Sequence, residues 1–231
     1  MNKHLLSARL AQVAAFVPVS ARLADIGSDH AYLPIALVQS KKIDFAIAGE
    51  IAQGPFDSAC QQIEKYQLEK QIIARLADGL LAIKNSDRID TITICGMGGR
   101  LICSILTAGK KQANLPAGAQ LILQPNNHEL EVRRWLCEHG YVINKEAIVE
   151  DHGKIYEIIQ ATYGKKISYT EQEMYFGPLL MREKSEIFQK KWHKKLLSKE
   201  KVVTNLANAR QVSKKLELEK KYLNWIREVI K

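Results

Sequence analysis

The stretch that most constrains the fold is a short apolar run that breaks into a carboxylate and a glycine, Leu23-Ala-Asp-Ile-Gly-Ser-Asp-His-Ala-Tyr-Leu-Pro34. That order predicts a strand, a tight turn and a helix. Glycine lets the backbone turn with positive φ or approach a ligand closely, and the first N–H groups of the helix favour a polar or anionic group. Asp25 then stands at the carboxyl end of the strand, where open α/β sheets bind ligands. The pattern recurs twice. Phe45–Glu50 reads as a buried strand ending in Glu50, 23 positions after Gly27. An acidic residue at about that separation reaches the two hydroxyls of a ribose. Ile72–Leu76 is the third strand and runs into Asp78-Gly79, which either accepts from an exocyclic amine or makes a plain Asp-Gly turn. Asp29 occupies the place where a nicotinamide fingerprint has its second glycine, which argues against a pyrophosphate pressed on the backbone.

The strands continue to alternate with helical patterns. A lead-in helix is predicted over Leu5–Val17, where Leu5, Leu6, Arg9, Leu10, Val13 and Phe16 share helical spacing until Pro18 ends it. Thr91–Cys95 is a fourth strand, opening into Gly96-Met97-Gly98-Gly99. Its three glycines predict backbone laid against a ligand, with Met97 as an apolar contact, or else dense packing. Leu121–Asn126 is the fifth strand and its exit; Asn126 either reaches the site or caps the helix over 130–139. Tyr141–Val149 and Ile155–Tyr163 read as a closing antiparallel hairpin. The alternation predicts an α/β fold with a doubly wound, mostly parallel sheet.

Charge divides the chain. Residues 1–163 hold 17 Lys and Arg against 17 Asp and Glu, whereas 164–231 hold 17 against 8, so the whole net charge of +9 lies in the second part. The expected boundary is therefore 163/164, with a basic appendage that binds a polyanion. From Leu179 to Lys231 there is no glycine or proline. A single helix of that length would reach ~80 Å, so a folded-back pair is expected, turning between Ala207 and Ser213. Its apolar seam is assigned to Val202, Leu206, Ala209, Leu216, Leu223 and Ile230, and Lys190, Lys191, Lys194 and Lys195 are its candidate phosphate contacts. Cys60, Cys95, Cys103 and Cys137 form no CxxC pair, so no structural metal and a reducing, cytosolic compartment are expected. No run of about 18 apolar residues exists to cross a membrane.

With these pieces in order, the chain resembles the bacterial family of tRNA (adenine(22)-N1)-methyltransferases. The resemblance rests on Asp25-Ile-Gly-Ser-Asp-His-Ala-Tyr-Leu-Pro34, Gly49-Glu50 with Gly54-Pro55, Asp78-Gly79-Leu80, Cys95-Gly-Met-Gly-Gly99, Gln124-Pro-Asn126 and Gly153-Lys-Ile-Tyr-Glu157. It implies a class I methyltransferase fold, Rossmann-like, with a seven-stranded sheet whose last strand is reversed and a C-terminal coiled-coil-like helical module that grips tRNA. It also implies S-adenosylmethionine as cofactor, held by Asp25, Ile26, Gly27, Ser28, Asp29, Glu50, Asp78, Gly79, Gly96 and Met97. Asp29 and Asn126 are the expected residues at the target adenine, and a monomer is expected. A nicotinamide or other nucleotide-cofactor enzyme of Rossmann type and a non-catalytic RNA-binding protein are the competing classes. The first would need the missing glycines. The second would not need acidic residues closing three strands.

Overall fold

The computed structural model describes residues 6–165, 167–208 and 214–231. The chain divides into two compact units, Met1–Tyr169 and Thr170–Lys231. The division falls beyond the last strand because Tyr169 packs on the first unit's core, its hydroxyl accepting from the Ile143 N–H at 3.3 Å.

In the first unit, α1 (Ala8–Phe16) leads into β1 (Arg22–Ile26), α2 (Tyr32–Gln39), β2 (Phe45–Glu50), α3 (Gln53–Lys65) and β3 (Ile72–Leu76). Two 3-10 turns, Gly79–Ala82 and Asn85–Asp87, precede β4 (Thr91–Met97), α4 (Gly99–Lys111), β5 (Gln120–Pro125) and α5 (Glu129–Glu138). The hairpin β6 (Tyr141–Asp151) and β7 (Lys154–Tyr163) closes the unit. The sheet order is β3-β2-β1-β4-β5-β7-β6, parallel from β3 to β5, with β7 inserted antiparallel between β5 and β6. The expected reversed last strand is therefore present.

The central strands are continuously apolar because both faces are covered, as parallel strands require: β2 is buried from Ala46 to Glu50. One face packs on Ile102 and Leu106 of α4 and Val132 and Leu136 of α5. The other packs on Val13 of α1, Leu33 and Leu37 of α2 and Ala59 and Ile63 of α3. This two-layer cover leaves the carboxyl ends of β1, β2 and β4 as the crevice. β6, at the sheet edge, alternates buried and exposed positions instead.

The second unit holds α6 (Glu171–Phe176), α7 (Leu180–Glu183), α8 (Glu186–Asn208) and α9 (Lys214–Val229). The folded-back pair is present, α8 packing on α9; most of the expected turn, and Ala209 of the seam, lie outside the described residues. The seam holds at Leu216 and Leu223, is half-buried at Leu206, and shifts at two positions. Val202 is exposed while Val203 is half-buried, and Val229 is buried where Ile230 was expected. Phe176, Phe188 and Trp192 pack together in this unit, with Tyr175 stacked on Tyr222 at 4.4 Å.

Candidate functional site

Gly27 stands at φ +69°, so a side chain there would be strained in any space, and the Met97 methyl already occupies the place where a Cβ would sit. The backbone turn brings the Gly27 and Ser28 N–H groups onto the Gly49 carbonyl, at 2.9 and 3.3 Å. The ends of β1 and β2 are thereby stitched together. A cavity of about 290 Å³ opens there, and six of the expected residues line it: Asp25, Gly27, Ser28, Asp29, Gly96 and Met97.

Asp25 is 4% exposed. Its two carboxylate oxygens accept from the Ser28 hydroxyl at 2.7 Å and the Thr93 hydroxyl at 2.6 Å. Burial raises its pKa to about 6, and the two hydroxyl donors only partly offset that cost. Glu50 is also buried, and burial likewise raises its pKa. It does not line the cavity; its carboxylate accepts from the Asp29 N–H, and its carbonyl accepts from Ala77 N–H at 2.7 Å. Glu50 therefore restrains the turn as well as offering an acceptor, a second role that strand-end reasoning did not contain.

That turn is unusual. Asp29, His30 and Ala31 stand consecutively at φ +39°, +46° and +55°. Left-handed backbone costs roughly 1–2 kcal/mol per non-glycine residue, and such outliers persist where the surroundings over-determine them. α2 starts from this turn with no side-chain cap. Asp29 is exposed, with its carboxylate 3.4 Å from His30 Nε2.

The opposite wall comes from the exits of β4 and β5. Gln124, fully buried, accepts through Oε1 from the Gly96 N–H at 2.9 Å and from the Arg9 guanidinium. Its amide nitrogen donates to Asn126 Oδ1 at 3.2 Å, and Asn126 Nδ2 donates to the Gly96 carbonyl at 2.7 Å. Asn126 is not the helix cap: that place before Glu129 of α5 is taken by His128, in a left-handed conformation and without a side-chain cap. The glycines divide between the two expected uses. Gly96 flanks the cavity at φ +74°, whereas Gly99 is fixed by packing, since a Cβ would meet the His128 carbonyl oxygen at 2.5 Å.

Other expected residues lie apart. Ile26 is buried in the core, and Asp78 and Gly79 sit just past β3, outside the cavity lining. On α8, Lys190, Lys194 and Lys195 are exposed, but Lys191 is 7% exposed with Nζ 5.6 Å from the Trp192 ring. Lys191 thus departs from the expected phosphate-contacting row: the helix turns it onto the aromatic core. Helical spacing makes Arg9 only a member of an apolar stripe, yet it lines the cavity beside Cys95, whose thiol burial pushes well up. An arginine at a stripe position was the available signal. Among the described residues no group of three or more His, Cys, Asp or Glu could hold a metal ion.

A seven-stranded, mostly parallel Rossmann-like sheet with one reversed strand and a crevice of buried carboxylates defines the class as a Rossmann-like methyltransferase. The model of the family "TrmK: tRNA (adenine(22)-N(1))-methyltransferase" matches residues 23–228, and the chain belongs to that family. It is 42% identical over 238 residues to the tRNA (adenine(22)-N(1))-methyltransferase of Bacillus subtilis, covering 100% of this chain and 99% of the relative. Streptococcus pneumoniae Sp1610, solved in complex with S-adenosyl-L-methionine, is 41% identical with TM-score 0.88, covering 98% of this chain and 100% of that one. M. capricolum TrmK, solved with S-adenosyl-homocysteine, is 31% identical with TM-score 0.83, covering 99% and 100%.

Proposed function

We infer that this chain transfers the methyl group of S-adenosylmethionine to N1 of adenine 22 in tRNA. The observation that carries this is family membership over the whole chain, with the strand-end carboxylates in place. Incubation with labelled S-adenosylmethionine and unmodified tRNA, followed by mapping of the methylated base, tests it; label on another base or none overturns it.

The crevice suits a cationic nucleoside. Asp25 and Glu50 are buried, and among the described residues neither has a lysine or arginine ion-pair partner. When bound, S-adenosylmethionine supplies an electrophilic methyl on a sulfonium, which the N1 lone pair attacks in line; the sulfur keeps the electron pair of the broken bond. Alignment is then the chief requirement of the protein. In the proposed assignment Asp25, Gly27, Ser28 and Asp29 surround the amino-acid part, with the Arg9 guanidinium available to its carboxylate. Glu50 is assigned to the ribose, Asp78-Gly79 to the adenine of the cofactor, and Gly96-Met97 to the wall beside the methyl. Asp29 is assigned to the positive charge that develops on the target ring. Asn126 is assigned to its exocyclic amine, and it also holds the Gly96 carbonyl.

We assign tRNA affinity chiefly to the basic second part, through Lys190, Lys194 and Lys195. Their joint replacement by Ala is expected to flatten the log-log salt dependence of tRNA binding by about one unit for each phosphate interaction removed. An unchanged slope would make this row a solvated surface only. The free thiols of Cys60, Cys95, Cys103 and Cys137 support a reducing, cytosolic setting. Monomeric action belongs to the same reading, and sedimentation of the full chain tests it.

A further inference from the structure

Gln124 is a fully buried polar side chain at the site, and no part of cofactor or base falls to it in the proposed assignment. It lies at the end of β5 beside a bulge in β4. The register steps from Cys95 opposite Gln124 to Met97 opposite Pro125, and Gly96, at φ +74°, is the extra residue. The Gly96 N–H therefore misses the strand ladder and donates instead to Gln124 Oε1 at 2.9 Å. That bond explains one contact of four. Oε1 also accepts from the Arg9 guanidinium, and Nε2 donates to the Pro125 carbonyl at 3.0 Å and to Asn126 Oδ1 at 3.2 Å. Two of these partners are backbone groups, and they settle which way the amide lies. An N–H only donates, so Oε1 faces Gly96; a carbonyl only accepts, so Nε2 faces Pro125. The orientation of Asn126 follows, with Oδ1 on Gln124 and Nδ2 on the Gly96 carbonyl at 2.7 Å. A hydrocarbon of the same length would fill the volume of Gln124 and anchor neither Arg9 nor Asn126.

We propose that Gln124 is a positioning residue for the methyl transfer: it fixes which atom of the Asn126 amide is offered to the target adenine, and it holds the Arg9 guanidinium at the cavity. This rests on the methyltransferase reading and on the places given there to Asn126 and Arg9. Asn126 is exposed, and an exposed amide turns over about its last bond, exchanging acceptor for donor. The exocyclic amine of adenine carries N–H donors, so only one of those two orientations serves. Gln124 selects it: Oδ1 accepts from Nε2 with one lone pair and keeps the second for the base. At the other end, Arg9 lines the cavity from α1, with its guanidinium 5.6 Å from the centre of the Tyr156 ring. The bond to Gln124 stops that long side chain from sampling its rotamers, and the guanidinium has further N–H donors for a carboxylate. Both groups are thus oriented by folding, before either reactant arrives, and orientation fixed in advance does not have to be gained during the reaction.

Methyl transfer by the wild-type chain is established first; its failure overturns the methyltransferase reading and the proposal with it, whereas failure of the couplings below overturns the proposal alone. Gln124→Glu is the sharpest variant, because the carboxylate still accepts from Gly96 and Arg9 but donates to neither Pro125 nor Asn126. With S-adenosylmethionine saturating, its kcat on tRNA should fall roughly 5- to 150-fold, the range for one buried polar group left unpaired, with KM for tRNA within about threefold. Asn126→Ala should lose a similar factor. The double variant should lose no more than about twofold beyond Gln124→Glu, since one residue acts through the other. Cofactor affinity, read by calorimetry, forms a second cycle. The new carboxylate competes with that of the cofactor for Arg9, so Kd should rise roughly tenfold, the lower end for a charge-assisted hydrogen bond, and Arg9→Met should then add less than about twofold. Gln124→Met, uncharged and of similar length, is run beside it and should show the same coupling to Asn126→Ala, so that a buried charge that spoils folding, seen in the urea midpoint, does not decide the matter. Losses that multiply in either cycle would overturn the proposal, as would wild-type kcat in Gln124→Met or in Asn126→Ala. A rise in KM for tRNA with kcat unchanged would make Gln124 a structural support and overturn it as well.

Discussion

Among the described residues of the first unit, buried carboxylates either meet a counter-ion, as Asp87 meets Arg75, or lack one, and two pairs of them make the contrast. Glu146 and Glu157, on β6 and β7, meet Arg133 of α5: Nε donates to Glu146 at 2.7 Å and Nη2 to Glu157 at 2.5 Å, with Arg133 fully buried. Among the described residues Asp25 and Glu50 form no ion pair with a lysine or arginine; hydroxyls hold the first and the Asp29 amide the second, and the Arg9 guanidinium lowers the Asp25 carboxyl only as the weakest of the influences on it. Desolvation bears on both groups alike. At the hairpin a guanidinium and two charge-assisted hydrogen bonds offset it, tying α5 to the sheet edge. At the crevice hydroxyl donors offset it only in part, and the Asp25 carboxyl is pushed up to about 6. A carboxylate group without a cation is unfavourable for the free protein and favourable for a cationic ligand, so the first cluster reads as structural and the second as a binding site.

The largest effect is expected from breaking the neutralised group. Arg133→Met leaves two buried glutamates without a counter-charge, and breaking such a pair costs roughly 3–5 kcal/mol. Urea unfolding should show this at neutral pH; an unchanged midpoint would mean the two glutamates reach solvent or other partners. Next comes Glu50→Gln, which keeps an acceptor for the Asp29 N–H while removing the charge. Losing a charged acceptor should weaken S-adenosylmethionine binding by about 1.5–3 kcal/mol with little change in stability. Calorimetry giving wild-type affinity would take Glu50 out of the site.

Asp25→Asn should move stability the other way. Folding raises this carboxyl from 3.8 to about 6, so the folded protein holds the proton more tightly than the unfolded chain. Its stabilising contribution is then complete below about pH 4 and lost as pH rises through about 6. Above that pH the ionised form opposes folding, and the neutral amide should stabilise by roughly 1–2 kcal/mol, less than the full shift because Asn cannot accept both hydroxyl donors equally. Thermal unfolding at pH 7.5 and pH 4 checks it: a gain at the higher pH only, accompanied by weaker cofactor binding. Destabilisation at pH 7.5 would make Asp25 a structural group like Glu157.

This contrast sets the limit of what was legible in the chain. Apolar runs ending in Asp25, Glu50 and Asp78 located the crevice, because strand and punctuation are local signals. Glu157 lies in a motif that resembles those of a family of enzymes, and no local pattern says that its partner is Arg133. Arg9 and Gln124 are similar: they meet across 115 positions of sequence. Helical periodicity assigned Arg9 to a face and said nothing of what that face touches. The same holds for Lys191, whose neighbours Lys190, Lys194 and Lys195 are exposed. The roughly 100° rotation from one helical residue to the next decides between solvent and the Trp192 ring, and charge counting does not register that angle.

The smallest effect is also the one that most directly separates the two groups. If the crevice carboxylates await a cation, binding S-adenosylmethionine should favour their ionised forms and expel protons, because an opposite charge nearby lowers a carboxyl pKa. Near pH 6, where Asp25 in the free protein is about half protonated, the expected release from this group is roughly half a proton per cofactor bound, fading above pH 7. Affinity should then rise with pH through 6 and level off. Calorimetry in buffers of different ionisation enthalpy reads the proton count directly. Asp25→Asn should abolish most of the release, and S-adenosylhomocysteine, which keeps the amino group and lacks the sulfonium charge, shows which cation is responsible. A pH-independent affinity between pH 5 and 7 would show that the cofactor's positive charge does not reach Asp25. The carboxylate would then act on the hydroxyls of Ser28 and Thr93 alone.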